Sequence, residues 1–109
     1  MQALSISTGT DGVLGVTLRG EIDFTRSAQI SEAIRAAVER ERPGVVRVEM
    51  AEVTFLDSSG IGVLVAAMKA AQQVLAAYRV EHPSPKVFDQ LRMSGLLEAF
   101  GLGEPGSGG

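Results

Sequence analysis

The sequence predicts a single α/β domain on a mixed sheet of about four to five strands, and three observations carry that expectation. Period-two alternation marks two short segments near the N-terminus, with Asp11-Gly12 between them. Helical runs starting near Thr25 and Ser58 alternate with segments rich in β-branched residues. The chain has 109 residues, enough for one domain with a real core and too few for two ordinary ones.

The elements follow in order. Leu4 and Ile6 alternate with Ser5 and Ser7, and Leu14, Val16 and Leu18 with Gly15, Thr17 and Arg19, the pattern of strands with one buried face. Asp11-Gly12 suits a tight hairpin turn because both residues tolerate positive φ, so these strands are expected to be antiparallel neighbours. From Thr25 to about Arg42, Ile30, Ile34 and Val38 recur on one face, while Gln29, Glu32, Arg35 and Glu39 occupy the other. Thr25 or Asp23 can cap this helix, and Pro43-Gly44 ends it. Val45 to Met50 then reads as a strand covered on at least one face, reached by a right-handed crossover, and Val53 to Leu56 as a further apolar strand segment.

The next helix, from Ile61 to Leu75, carries two apolar stripes. Ile61, Leu64, Val65, Met68 and Leu75 form one; Val63, Ala66, Ala67, Ala70 and Val74 form another nearly opposite. A surface helix should be polar on its outer side, so the second stripe either packs under another element or faces a partner. Tyr78 to Glu81 is a short, rather polar strand. Ser84 caps the last major helix, with Pro85 at its first position, Val87, Phe88 and Leu91 facing the core, and Gly95 at its end. Leu96 to Leu102 adds an apolar turn. Residues 1–102 are expected to form the domain, and Gly103 to Gly109, with four glycines, a proline and a serine, a flexible tail.

Composition excludes several classes. The formal charge is -3, and basic residues are interleaved with acids, as in Glu39-Arg40-Glu41-Arg42, which argues against a nucleic-acid surface. There is no cysteine, hence no disulfide framework and no thiolate nucleophile or metal ligand. The N-terminus lacks a signal-peptide pattern, and no apolar run approaches the roughly 18 residues of a membrane span, so a cytoplasmic protein is expected.

Function is expected at Asp57-Ser58-Ser59-Gly60, where the strand Val53-Thr54-Phe55-Leu56 stops and the helical run begins. A serine in the first turn of a helix meets solvent beside unpaired N–H groups and the positive end of the helix dipole, so it can carry or meet a phosphate. Asp57 and Ser58 are equally ordinary helix caps. Gly60 and Gly62 each cost about 1 kcal/mol of helix propensity relative to alanine, which either close approach of a partner or strand or tight internal packing would explain.

With these elements placed, the chain resembles the STAS family, whose small stand-alone members are bacterial anti-sigma factor antagonists. The resemblance runs from about Leu4 to Leu102. It rests on Gly20-Glu21-Ile22-Asp23 before the first helix, on Val53 to Leu64 around Asp57-Ser58-Ser59-Gly60, and on Pro83-Ser84-Pro85 opening a helix that ends near Gly95-Leu96. It implies helices packed mainly on one face of the sheet. It further implies a phosphorylation-controlled switch: Ser58 is phosphorylated by an anti-sigma factor that doubles as a serine kinase, the unmodified antagonist binds that kinase and releases a sigma factor, and a serine phosphatase resets the cycle. The partner surface so implied comprises Asp23, Thr25, Asp57, Ser59, Gly60, Ile61, Gly62 and Val63. Asp23 contacts the kinase, orients the Ser58 hydroxyl, or forms an Asx turn. Ser59 shapes the turn, donates a hydrogen bond, or serves as the fallback acceptor.

Catalysis lacks its parts. The one histidine, His82, precedes Pro83 and reads as a surface turn residue; there is no G-x-S-x-G elbow, no S-x-x-K from Ser58 and no Walker loop. Glu49 and Glu52 have no partner at metal-ligand spacing, and no cofactor is expected. The competing reading is a STAS-type docking subunit of a lipid-transport ATPase or stress-sensing complex without phosphorylation control, which the second apolar stripe suits. The chain departs from its relatives at Leu75-Ala76, where a glycine pair is usual, at Arg79 and Glu81, where apolar residues are common, and at Glu49, where an aspartate is usual.

Overall fold

The structure, a computed structural model, describes residues 3–102. The expected tail from Gly103 lies outside the described residues. β1 (Leu4–Thr8), β2 (Val13–Ile22), α1 (Phe24–Glu41), β3 (Val45–Leu56), α2 (Ser58–Gln73), β4 (Ala77–Glu81) and α3 (Pro85–Met93) follow one another. The sheet has four strands in the order β1-β2-β3-β4, β1 antiparallel to β2 and the other neighbours parallel.

Alternation produces one dry face and one wet face. Ile6, Val16, Val48 and Val80 form one row across the four strands, and the last three are at most 2% exposed. Arg47, Glu49, Arg79 and Glu81 belong to the opposite, polar face. All the helices therefore serve one side of the sheet. In the hairpin, Gly12 alone takes positive φ (82°), while the Asp11 carboxylate accepts the Val13 N–H at 3.1 Å.

β3 departs from the sequence reading. Val45 to Met50 and Val53 to Leu56 are one strand of 12 residues, not two. Its buried positions run Val46, Val48, Met50, Val53, Leu56, while those of β2 keep strict alternation through Leu14, Val16, Leu18 and Ile22. Register shifts between Thr17 and Arg19 and between Gly20 and Glu21 absorb the difference. Each bulge adds one residue to β3 and returns the apolar side chain to the core.

α1 starts at its Asp23 cap, whose side chain accepts the Thr25 N–H, and stops at Arg42 in the left-handed region (φ 45°) before Pro43. α1 and α2 pack side by side. Val63, Ala67 and Ala70 are at most 8% exposed, while Ala66 is half-buried and lines, with Ala70, a groove shared with Ala28 and Ser31 of α1. Most of the second stripe of α2 is thus buried inside the domain, and only its edge at Ala66 and Ala70 borders the groove against α1.

The end of α2 explains the missing glycine pair. The Ala76 N–H reaches back to the Ala71 carbonyl at 2.9 Å, and Leu75 supplies the left-handed residue (φ 60°) that such a cap requires. Leu75 is also 93% exposed, so it has no packing to lose. A left-handed leucine costs about 1–2 kcal/mol, and glycine returns part of that through its freer unfolded chain. Leu75→Gly is therefore expected to stabilise the domain by about 0.5–1 kcal/mol in urea unfolding. An unchanged or lower midpoint would contradict that account.

α3 begins at Ser84, whose hydroxyl accepts the Val87 N–H at 3.2 Å, with Pro85 at its first position. Val87, Leu91, Leu97 and Phe100 close the core. The Phe100 carbonyl accepts from Val80 N–H at 3.0 Å, and the Phe100 ring meets Tyr78 edge-on, with centroids 5.8 Å apart. Burial raises the Tyr78 phenol well above its usual range. Its hydroxyl donates to the Leu64 carbonyl at 2.7 Å.

Candidate functional site

β2 and β3 end side by side, Ile22 against Leu56, and each is followed at once by a helix. Two helix N-termini therefore meet at one corner of the domain. Asp57 joins them. One of its carboxylate oxygens accepts the Ser59 hydroxyl at 2.5 Å and the Gly60 N–H at 2.9 Å; the other accepts the Phe24 N–H, from the first residue of α1, at 3.2 Å. The Ser59 hydroxyl and these N–H groups hold the Asp57 carboxyl below its usual pKa. Across the corner, Asp23 Oδ1 accepts the Thr25 N–H at 3.0 Å and the Thr25 hydroxyl at 2.6 Å.

The two serines now differ. Ser59 is half-buried, with its hydroxyl committed to Asp57. Ser58 is exposed, and its hydroxyl has no hydrogen-bond partner among the described residues. Behind the turn, the Gln90 side-chain amide donates to the Leu56 carbonyl at 2.8 Å and fixes the strand end from α3. The other amide atom of Gln90, Oε1, is buried without a protein partner.

The remaining expected site residues separate into surface and interior. Thr25 and Gly62 are exposed and Ile61 is half-buried against the core. Gly60 is buried: a Cβ there would stand 2.4 Å from the Ile22 carbonyl oxygen, so internal packing accounts for it. A Cβ on Gly62 would meet nothing within 4 Å. Val63, expected at the partner surface, is corrected to a core residue with no exposed area, because its position faces α1 and the sheet. Phe24, which the sequence reading passed over, stands at the corner with 75% of its surface exposed.

A second cluster lies on the open sheet face and corrects the view that Glu49 lacks partners at ligand spacing. Parallel register puts Glu49 opposite Glu81, and His82 follows; ligand atoms of all three lie within 4.8 Å of one another. The His82 Nδ1 is 2.7 Å from Glu49 Oε1, and Arg47 Nε is 3.7 Å from Glu81 Oε1. Carboxylates and imidazole are the ligand types of several divalent ions, but here the cluster already carries its own countercharges.

This pair has a pH signature. Burial works against the charged Glu49, but the His82 hydrogen bond and the Ala51 N–H outweigh it and bring its pKa below 4.5. The Glu49 hydrogen bond raises His82 above 6.5. A raised histidine contributes stability fully below its unfolded pKa and loses it as pH rises through the folded value; a lowered glutamate contributes above 4.5 and loses it as pH falls. The melting-temperature difference between the native chain and His82→Gln is therefore expected to be largest between the two ordinary values and to fade as pH rises through the raised His82 pKa. A difference independent of pH would show that the ion pair adds nothing.

Among the described residues the Ser58 hydroxyl is hydrogen-bonded to no base, and the His82 imidazole is paired with Glu49 on the open sheet face. Fold and corner together define a small α/β module that presents one unengaged serine between two aspartate-capped helix starts. The chain belongs to the STAS domain family, whose profile matches residues 6–105. It is 32% identical over 87 residues to an anti-sigma F factor antagonist of Paenibacillus polymyxa, covering 80% of this chain and 74% of the relative. It is 30% identical over 86 residues to an anti-sigma-B factor antagonist of Listeria monocytogenes, covering 78% and 74%. Among solved structures it is similar to the anti-sigma factor antagonist SpoIIAA in its unphosphorylated form, with a TM-score of 0.77, 26% identity, and 86% and 82% of the two chains covered. Among the described residues, no helix is long and apolar enough to cross a membrane.

Proposed function

We propose that this chain is an anti-sigma factor antagonist switched by phosphorylation of Ser58. Unmodified, it binds an anti-sigma factor with serine kinase activity in the cytoplasm and frees a sigma factor; modified, it lets go until a serine phosphatase restores it. The chain is then a ligand and a substrate, with no catalytic residue of its own. The observation that carries the reading is the exposed Ser58, whose hydroxyl is unengaged while its neighbour Ser59 is tied to Asp57. The relatives named as antagonists supply the partner class.

The test is the intact mass of the protein isolated from its own cells under phosphatase inhibition. A phosphate adduct present in the native chain and lost in Ser58→Ala supports the switch. An adduct that persists in Ser58→Ala moves the acceptor elsewhere. Unmodified protein under both resting and stressed conditions removes the switch altogether.

A further inference from the structure

We propose that Phe24 is the apolar anchor of the partner interface, supplying affinity while Ser58 supplies control. This rests on the reading of the chain as an antagonist of an anti-sigma kinase.

Phe24 is not needed by the fold. It is 75% exposed, lies outside the core and its apolar fringe, and opens a helix that Asp23 already caps. Its backbone is nevertheless fixed, because its N–H is bonded to Asp57, the residue before Ser58. An aromatic side chain has few rotatable bonds, so on a fixed backbone next to the control residue it offers a large contact area at low entropic cost, as the aromatic anchors of interfaces do.

The neighbourhood indicates what would cover it. Phe24 begins the α1 stripe that continues through Ala28, Ser31 and Arg35 at helical spacing, and these three line the groove of about 270 Å³ between α1 and α2. Gly62 continues the facing side towards Ser58 at the helical spacing of Ala66, and leaves the backbone open to close approach. Beside the ring, Asp23 uses only one carboxylate oxygen in its cap, leaving the other without a protein partner among the described residues. The matching surface is an apolar pocket edged by a basic side chain, on the kinase.

The probe is the kinase purified from source cells as the ATP-dependent activity that phosphorylates Ser58. In a Ser58→Ala background, which keeps the chain unmodified, Phe24→Ala is expected to weaken kinase binding about 30-fold, with Phe24→Leu in between. With Ser58 present, KM for the chain rises by a similar factor while kcat holds, and the melting temperature is unchanged. Kinase binding that survives Phe24→Ala intact overturns the anchor and leaves the antagonist reading standing. Conversion of a dimer to a monomer by Phe24→Ala assigns the ring to a second copy of this chain and also overturns it. A chain that no such kinase binds or modifies overturns both.

Discussion

Stoichiometric phosphate on Ser58 is expected to weaken binding to the anti-sigma kinase by about 100-fold or more, whereas Ser58→Ala retains full affinity. The modification adds about -1.5 to -2 charges at neutral pH. A helix N-terminus ordinarily welcomes such a group, but here Asp57 already occupies several donors of the corner: Gly60 N–H, the Ser59 hydroxyl and Phe24 N–H all point to its carboxylate. The phosphate then faces an ionised Asp57 and the free oxygen of Asp23, and water must satisfy much of it. Covering that corner with a partner strips the water away, a cost of about 3 kcal/mol for a charge left partly uncompensated, hence two decades in Kd. Calorimetric titration of the kinase with phosphorylated and unmodified chain measures the difference. Equal constants would mean that the interface avoids this corner.

The same geometry assigns control to the covered corner rather than to a change of fold. Asp57 holds both helix starts together whether or not Ser58 is modified, since none of its acceptor bonds uses the Ser58 hydroxyl. The phosphorylated chain should therefore keep its structure and change only its surface. Such a switch is reset by hydrolysis of one ester, with no refolding to wait for.

What the sequence could and could not disclose follows from the range of the interactions involved. β1, β2 and α1 were legible because alternation, Asp11-Gly12 and the Asp23 cap are local signals, and the Asp57-Ser58-Ser59-Gly60 turn because its type sits at a strand-to-helix boundary. β3 reads as two segments because its bulges leave Ala51 and Glu52 exposed in succession, which erases the period of two although the strand continues. The link from Asp57 to Phe24 and the pairing of Glu49 with His82 each join residues 33 positions apart, and only strand register brings them together. The helix pattern of α2 could not say whether its alanine face met α1 or a partner, because alanine fits both. Phe24 carries no distinguishing signal for a related reason: an aromatic residue beside a cap fits core and surface alike until its exposure is known.

Gly60→Ala is expected to destabilise the domain by about 2 kcal/mol, lowering the melting temperature by about 10 °C, although helix propensity alone favours alanine by about 1 kcal/mol. The sign is decided by space. An added Cβ would stand 2.4 Å from the Ile22 carbonyl oxygen, 3.0 Å from Leu56 Cδ2 and 3.3 Å from Ile22 Cβ. The nearest of these is backbone at the end of β2, so no rotamer change relieves it; α2 must move away from the strand. That movement also pulls Asp57 from the corner, since Gly60 N–H is one of its donors and Asp57 N–H itself reaches the Ile22 carbonyl at 3.4 Å. The cost therefore falls on the joint that sets Ser58 beside α1, and kinase affinity should drop together with stability. Gly62→Ala, in the same helix with open space around its Cβ, provides the control: it should gain about 1 kcal/mol. Paired urea melts that showed Gly60→Ala as stable as the native chain would mean that the strand end yields to α2, and that the corner is softer than its hydrogen bonds imply.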